Sequence, residues 1–174
     1  MRRLAALAFA VWTSLTLAAH AQGTYAIYGD YPNTTQTGTI PETLLVAIPV
    51  PGGAVGPNGL AKLTVTWTYT NSANTKNIGV RTGTSSGVTG GLVANTAVTT
   101  TATAQTVFFF RNNGALNLNN VYAGGLTPYG TIAAGLNVPN INTAGQWFFN
   151  LTATIPTAAE TVTLVGWTLE IINP

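Results

Sequence analysis

The sequence predicts an all-β protein: a single jelly-roll-like β-sandwich of about eight antiparallel strands. Three observations predict it. Charged residues make up 6% of the 174-residue chain, against about 25% in an ordinary soluble domain. Thr, Asn, Ser and Gly must therefore keep the surface wet, and Thr alone is close to one residue in five. Thr is β-branched and suits a half-exposed strand face, while Asn and Gly suit turns that need positive φ. Finally, short segments alternate apolar and polar residues with period two between Gly- and Pro-rich breaks, and no convincing helical pattern follows the N-terminal segment.

That segment, residues 1–21, reads as a signal-peptide helix. Arg2 and Arg3 form the basic end, Leu4 to Ala18 are mostly apolar, and Ala19-His20-Ala21 supplies a small-residue cleavage site. Its apolar run, broken by Thr13, Ser14 and Thr16, falls short of the roughly 20 residues of a spanning helix. Cleavage before Gln22 is expected, leaving no stable membrane span; an uncleaved anchor and a start codon set too far upstream are the alternatives. Cleavage would remove the single His and two basic residues, leaving Lys62, Lys76, Arg81 and Arg111 against Asp30, Glu42, Glu160 and Glu170. A formally neutral domain has no nucleic-acid footprint. Cysteine is absent, so stability must come from a hydrophobic core rather than disulfides. Residues 22–41 read as an N-terminal arm and 42–174 as the sandwich domain.

The first expected strand is Thr43 to Val50, closed by Pro51-Gly52-Gly53. The cleanest is Leu63 to Thr70, where Leu63, Val65, Trp67 and Tyr69 alternate with four threonines. Turn formers from Asn71 to Asn77 lead to Ile78, Val80 and Arg81, which together read as a hairpin with a long loop. Leu92 to Val98 follows the glycine-rich run Gly83 to Gly91, expected to be a flexible hairpin tip, and Gln105 to Arg111 comes next. Gly114 to Asn140 reads as long loops with one short strand. Trp147 to Ile155 has Trp147, Phe149, Leu151, Ala153 and Ile155 on one face. Pro156 to Glu160 then turns the chain into Thr161 to Ile172. There the apolar residues fall on both faces, as expected of a strand between two packed layers or against a neighbouring subunit.

The chemical inventory is nearly empty. Acid–base work needs titratable groups held close together. Glu160 and Glu170 could make a glycosidase pair in principle, but their positions read as two unrelated surface carboxylates. Ser72 and Lys76 have the residue types of a Ser–Lys dyad, yet in a loop of turn formers a solvated lysine is the ordinary reading. No catalytic, metal or cofactor residue is expected, and the Gly83–Gly91 run lacks the Lys and helix of a phosphate loop. Asn33-Thr34-Thr35 and Asn150-Leu151-Thr152 match the N-glycosylation pattern, which arises often by chance in such a chain. Aromatic residues leave binding open: Tyr122 and Tyr129, in the long loop region, are the candidate ligand-binding residues. Trp67, Phe108, Phe109, Phe110, Trp147, Trp167 and Leu169 are candidates for core or subunit packing.

The run Trp67-Thr68-Tyr69-Thr70-Asn71-Ser72-Ala73-Asn74-Thr75-Lys76-Asn77-Ile78-Gly79-Val80-Arg81, with Arg111-Asn112-Asn113-Gly114 and the closing Glu160 to Glu170, resembles small β-sandwich structural proteins of tailed bacteriophages. The resemblance spans roughly residues 45 to 172, its distinctive part being the Thr-Asn-Ser-Ala-Asn-x-Lys segment. It implies a virion-associated, non-enzymatic protein of the head-fibre, decoration or tail-fibre type. Such a protein would be a homo-oligomer, with a trimer favoured, whose partners are virion proteins or surface glycans. The signal peptide departs from that pattern and leaves a second expectation, a secreted bacterial surface β-sandwich or carbohydrate-binding module. The location is accordingly the virion if the resemblance holds and the periplasm or medium if the signal is used.

Overall fold

The computed structural model describes residues 25–124 and 139–174, and all ten strands are antiparallel. They are β1 (Tyr25–Asp30), β2 (Thr34–Thr37), β3 (Ile40–Val50), β4 (Leu60–Tyr69), β5 (Lys76–Gly83), β6 (Gly91–Val98), β7 (Thr103–Asn112), β8 (Asn119–Gly124), β9 (Trp147–Ile155) and β10 (Thr161–Ile172). One sheet has the order β1-β10-β4-β7-β8, with β2 also paired to β10; the other has the order β3-β9-β5-β6. This is the expected all-β sandwich. The expected signal segment and Tyr129 lie outside the described residues.

The core forms where period-two faces meet. Leu63, Val65 and Trp67 of β4 and Trp147, Phe149, Leu151 and Ile155 of β9 are fully buried, while Thr64, Thr66 and Thr68 remain partly exposed. Phe110 of β7 reaches across between the sheets and stacks on Trp147 with ring centroids 4.4 Å apart, and it meets Phe149 edge-on at 6.0 Å. Each such aromatic contributes about 1.5–3 kcal/mol by burial alone, and the stacking geometry adds to that. Of the Phe trio, Phe108 and Phe110 point inward; Phe109, on the opposite face, is half-buried.

Four expectations are corrected. β4 and β5 are not a hairpin. β4 pairs with β10 and β7, whereas β5 pairs with β6 and β9, so Thr70 to Thr75 carry the chain from one sheet to the other. Alternation identifies both strands but carries no information about which sheet each joins. Second, the segment read as an arm holds β1 and β2, which run along one side of β10 as a single interrupted edge strand.

Third, the two-faced apolar pattern of β10 comes from a bulge. The register with β4 shifts between Leu164 and Gly166, which reverses the alternation. Val162 and Leu164 face the core before it, and Leu169 and Ile171 face the same core after it. Trp167, opposite core residue Val65, packs half-buried against the same cluster. The break between β1 and β2, where Asn33 takes a left-handed φ of 48°, lies beside this bulge. The Tyr31 ring sits over Gly166 so closely that a Cβ there would come 2.5 Å from it. No subunit is needed to explain either face of β10.

Fourth, the Gly83–Gly91 run does connect a hairpin, β5–β6, but its tip is pinned rather than free. It folds over the outside of its own sheet, where Asn150 donates to Ser85 O at 3.1 Å and accepts from Gly87 N at 3.3 Å. Arg81 Nη1 also donates to Gly90 O at 2.7 Å. Beneath this cover Asn150 is 0% exposed, which removes it as a glycosylation acceptor.

Candidate functional site

The residues that could carry chemistry fall into four places. The first is the loop motif from Thr70 to Lys76, which closes around Glu160. Lys76 Nζ donates to three acceptors: Thr70 O at 2.7 Å, Glu160 Oε2 at 3.0 Å and Ser72 Oγ at 3.1 Å. Glu160 Oε1 accepts from Ser72 Oγ at 2.8 Å and Asn74 Nδ2 at 2.9 Å. Bonds from Asn74, Lys76 and Ser72, in that order of weight, hold the Glu160 carboxyl down at about 2. Glu160 and Lys76 are therefore neither a surface carboxylate nor a solvated lysine; both are buried.

The same geometry speaks against a Ser–Lys nucleophile. In a dyad the lysine must accept the serine proton. Here the lysine donates to Ser72, and the Ser72 hydroxyl donates to Glu160. Every ammonium donor has a partner, and a group shut from solvent offers no approach to a substrate. Glu170 lies elsewhere, paired with Lys62 at 2.6 Å, so the two carboxylates are not a pair.

The second place is the outer face of the β3-β9-β5-β6 sheet. Arg81 Nε and Nη2 each donate at 2.7 Å to the two oxygens of Glu42, and Thr152 Oγ1 adds a 2.8 Å bond to Oε1. The Arg81 guanidinium is the main cause that lowers the Glu42 carboxyl below its ordinary value. Among the described residues no three His, Cys, Asp or Glu side chains gather where a metal could be held, and no helix is long and apolar enough to cross a membrane.

The third is an open cleft of about 360 Å³ at one end of the sandwich, between the β5–β6 tip and residues 139–142. Among the described residues its lining is mostly hydroxyl, carboxamide and glycine backbone, with Pro139 and Ile141 as the apolar members and no ionisable side chain. Sequence reasoning passed over it, although the hydroxyls interspersed with the glycines of Gly83 to Gly91 were a visible signal.

The fourth is the β1 edge. β1 pairs with β10 on one side, and its other side has no partner strand among the described residues. Ile27 is 59%, Tyr28 45% and Tyr31 80% exposed. Tyr28 is the register partner of buried Leu169 and so lies on the inward side, yet it remains uncovered.

Of the sequence candidates, Trp67, Phe108, Phe110, Trp147 and Leu169 lie in the core, with Trp167 packed against it. Tyr122 is in β8 with its backbone opposite Phe109; Tyr129 lies outside the described residues.

No known protein-family description matches the chain, and no curated protein does. Among solved structures it is similar to dimeric latent PorU from Porphyromonas gingivalis, with 8% identity and a TM-score of 0.45 over 87% of this chain; it spans 13% of that protein's length. It is also similar to the tobacco streak virus coat protein, with 12% identity and a TM-score of 0.39 over 86% of each chain. A lectin from Bauhinia forficata, in complex with GalNAc, gives 12% identity and a TM-score of 0.37 over 86% of this chain and 99% of the lectin. Likenesses this distant transfer no residue role.

Proposed function

We propose that this protein is a non-enzymatic structural or attachment protein that assembles as a homo-oligomer through the β1 edge. The observation that carries the reading is that edge. β1 shows Ile27 and Tyr28 to solvent, with Tyr31 exposed just past its end, and within Tyr25–Asp30 it has no Lys, no Pro and only the terminal Asp30 as a charge. Proteins that stay monomeric blunt such edges with charges, prolines or a covering segment, and β1 among the described residues carries none of these along Tyr25–Gly29. The contact therefore shifts from β10 and β7, whose inward side chains the core consumes while Phe109 stays half-buried on the outer face, to a strand at the rim. The closed arrangement of Glu160, Lys76 and Ser72 gives those three residues a structural role.

The resemblance of the Thr70–Lys76 motif to phage structural proteins supports the reading that this assembly belongs to a virion, as a decoration or fibre component with three copies. Mass spectrometry of density-purified phage particles, compared with periplasm and medium, tests the assignment. Recovery in particles is expected. A species that begins at Gln22 and is confined to periplasm or medium would move the protein to the bacterial surface instead.

A further inference from the structure

We propose that the cleft between the β5–β6 tip and residues 139–142 binds a neutral saccharide unit. The inference is independent of the oligomer contact, which lies on the other sheet. Its first support is the chemistry of the lining. Thr84, Ser85 and Thr89 bring hydroxyls and Asn140 and Asn142 bring carboxamides, while Pro139 and Ile141 are the apolar members. A phosphate, carboxylate or cation entering here would lose hydration without a countercharge, and an apolar ligand would find little surface. An uncharged ligand rich in hydroxyls exchanges its water for matching donors and acceptors. The volume of about 360 Å³ lies within the range of small-ligand sites, roughly 300–1,000 Å³.

The second support is that both walls are fixed before any ligand arrives. One wall is the tip held by Asn150 and Arg81. Its neck brings two backbones together so tightly that a Cβ on Gly90 would come 2.5 Å from Thr82 O, an approach only glycine permits. The other wall hangs on a buried amide network. Ile141 N donates to Asn119 Oδ1 at 2.7 Å, and Asn119 Nδ2 donates to Asn112 Oδ1 at 2.8 Å. Asn112 Nδ2 in turn donates to Thr143 Oγ1 at 2.9 Å. Burying three carboxamides, Asn112, Asn119 and Asn150, to set two loops makes sense where loop position matters, because a preorganised site binds without an ordering cost.

The test is an array of neutral oligosaccharides built from hexose, N-acetylhexosamine and deoxyhexose units, followed by calorimetric titration of the strongest binder. Ser85→Trp fills the cleft from an exposed position, and Asn140→Gly removes a carboxamide while keeping the left-handed φ of 51°. Each is expected to weaken binding roughly tenfold or more, with melting temperature and oligomer mass unchanged, and wild-type binding should be insensitive to salt. Silence toward every neutral glycan would overturn the proposal. So would equal binding by wild type and both variants, or binding confined to anionic glycans and lost in salt. Light scattering on the same samples reads the oligomer separately, so a failure of either idea is visible alone.

Discussion

Lys76 Nζ stands 3.0 Å from Glu160 Oε2 with both side chains shut away from solvent, and the pair ties the crossing between β4 and β5 to the turn that leads into β10. It is the fastener at one end of the sandwich: Thr70 N also donates to Thr161 O at 3.0 Å, and Thr161 N to Thr70 Oγ1 at 2.8 Å. The motif that carries the phage resemblance is thus a structural clasp for a single carboxylate.

Removing one member of a buried pair leaves an uncompensated charge. Lys76→Met is expected to destabilise the protein by about 3 kcal/mol or more, measured by urea denaturation. Adding Glu160→Gln to Lys76→Met should recover part of that loss, giving a double variant less destabilised than the sum of the single ones.

Acid should open the same clasp. The Glu160 carboxyl is held at about 2 against an ordinary 4.5, and Glu42 is also lowered. A carboxyl depressed in the folded state adds stability that is fully present above its unfolded value and is lost as pH falls through its folded value. The melting temperature should therefore hold down to about pH 4.5 and decline between there and about pH 2. Glu160→Gln should start lower at neutral pH and decline less steeply, since the variant has one linked proton fewer.

Arg81 makes a two-pronged contact with Glu42 and also holds Gly90 O, a geometry that a lysine cannot reproduce. Arg81→Lys should cost about 1.5 kcal/mol or more. Amide hydrogen exchange at Gly87 should speed up further than exchange in the centre of β9, because the substitution loosens the tip before it loosens the core.

How far the sequence alone reached can be seen in particular residues. Leu63 to Tyr69 and Trp147 to Ile155 announced both strand and inward face, because an unbroken period of two admits one reading. β10 did not, because one inserted residue before Gly166 reverses the phase and looks like apolar residues on both sides. β1 and β2 were missed because an edge strand is covered on few sides, so Ile27 and Tyr28 show no apolar–polar alternation and Thr34–Thr37 show no apolar residue at all. Glu160 looked like a surface carboxylate since its partners lie 84 to 88 positions away, a separation that no local pattern reveals. The cleft escaped for the same reason, its two walls being brought together only by the fold.

The proposed assembly requires that copies of this chain meet through β1. Light scattering at micromolar concentration, on the wild type and on the Ile27→Lys/Tyr28→Lys variant, tests this most directly. The expected result is an oligomer for the wild type, three copies being the expected number, and a folded monomer for the variant with the same far-ultraviolet spectrum. A wild-type protein that is monomeric under these conditions, or a variant that keeps the full oligomer mass, would contradict the account.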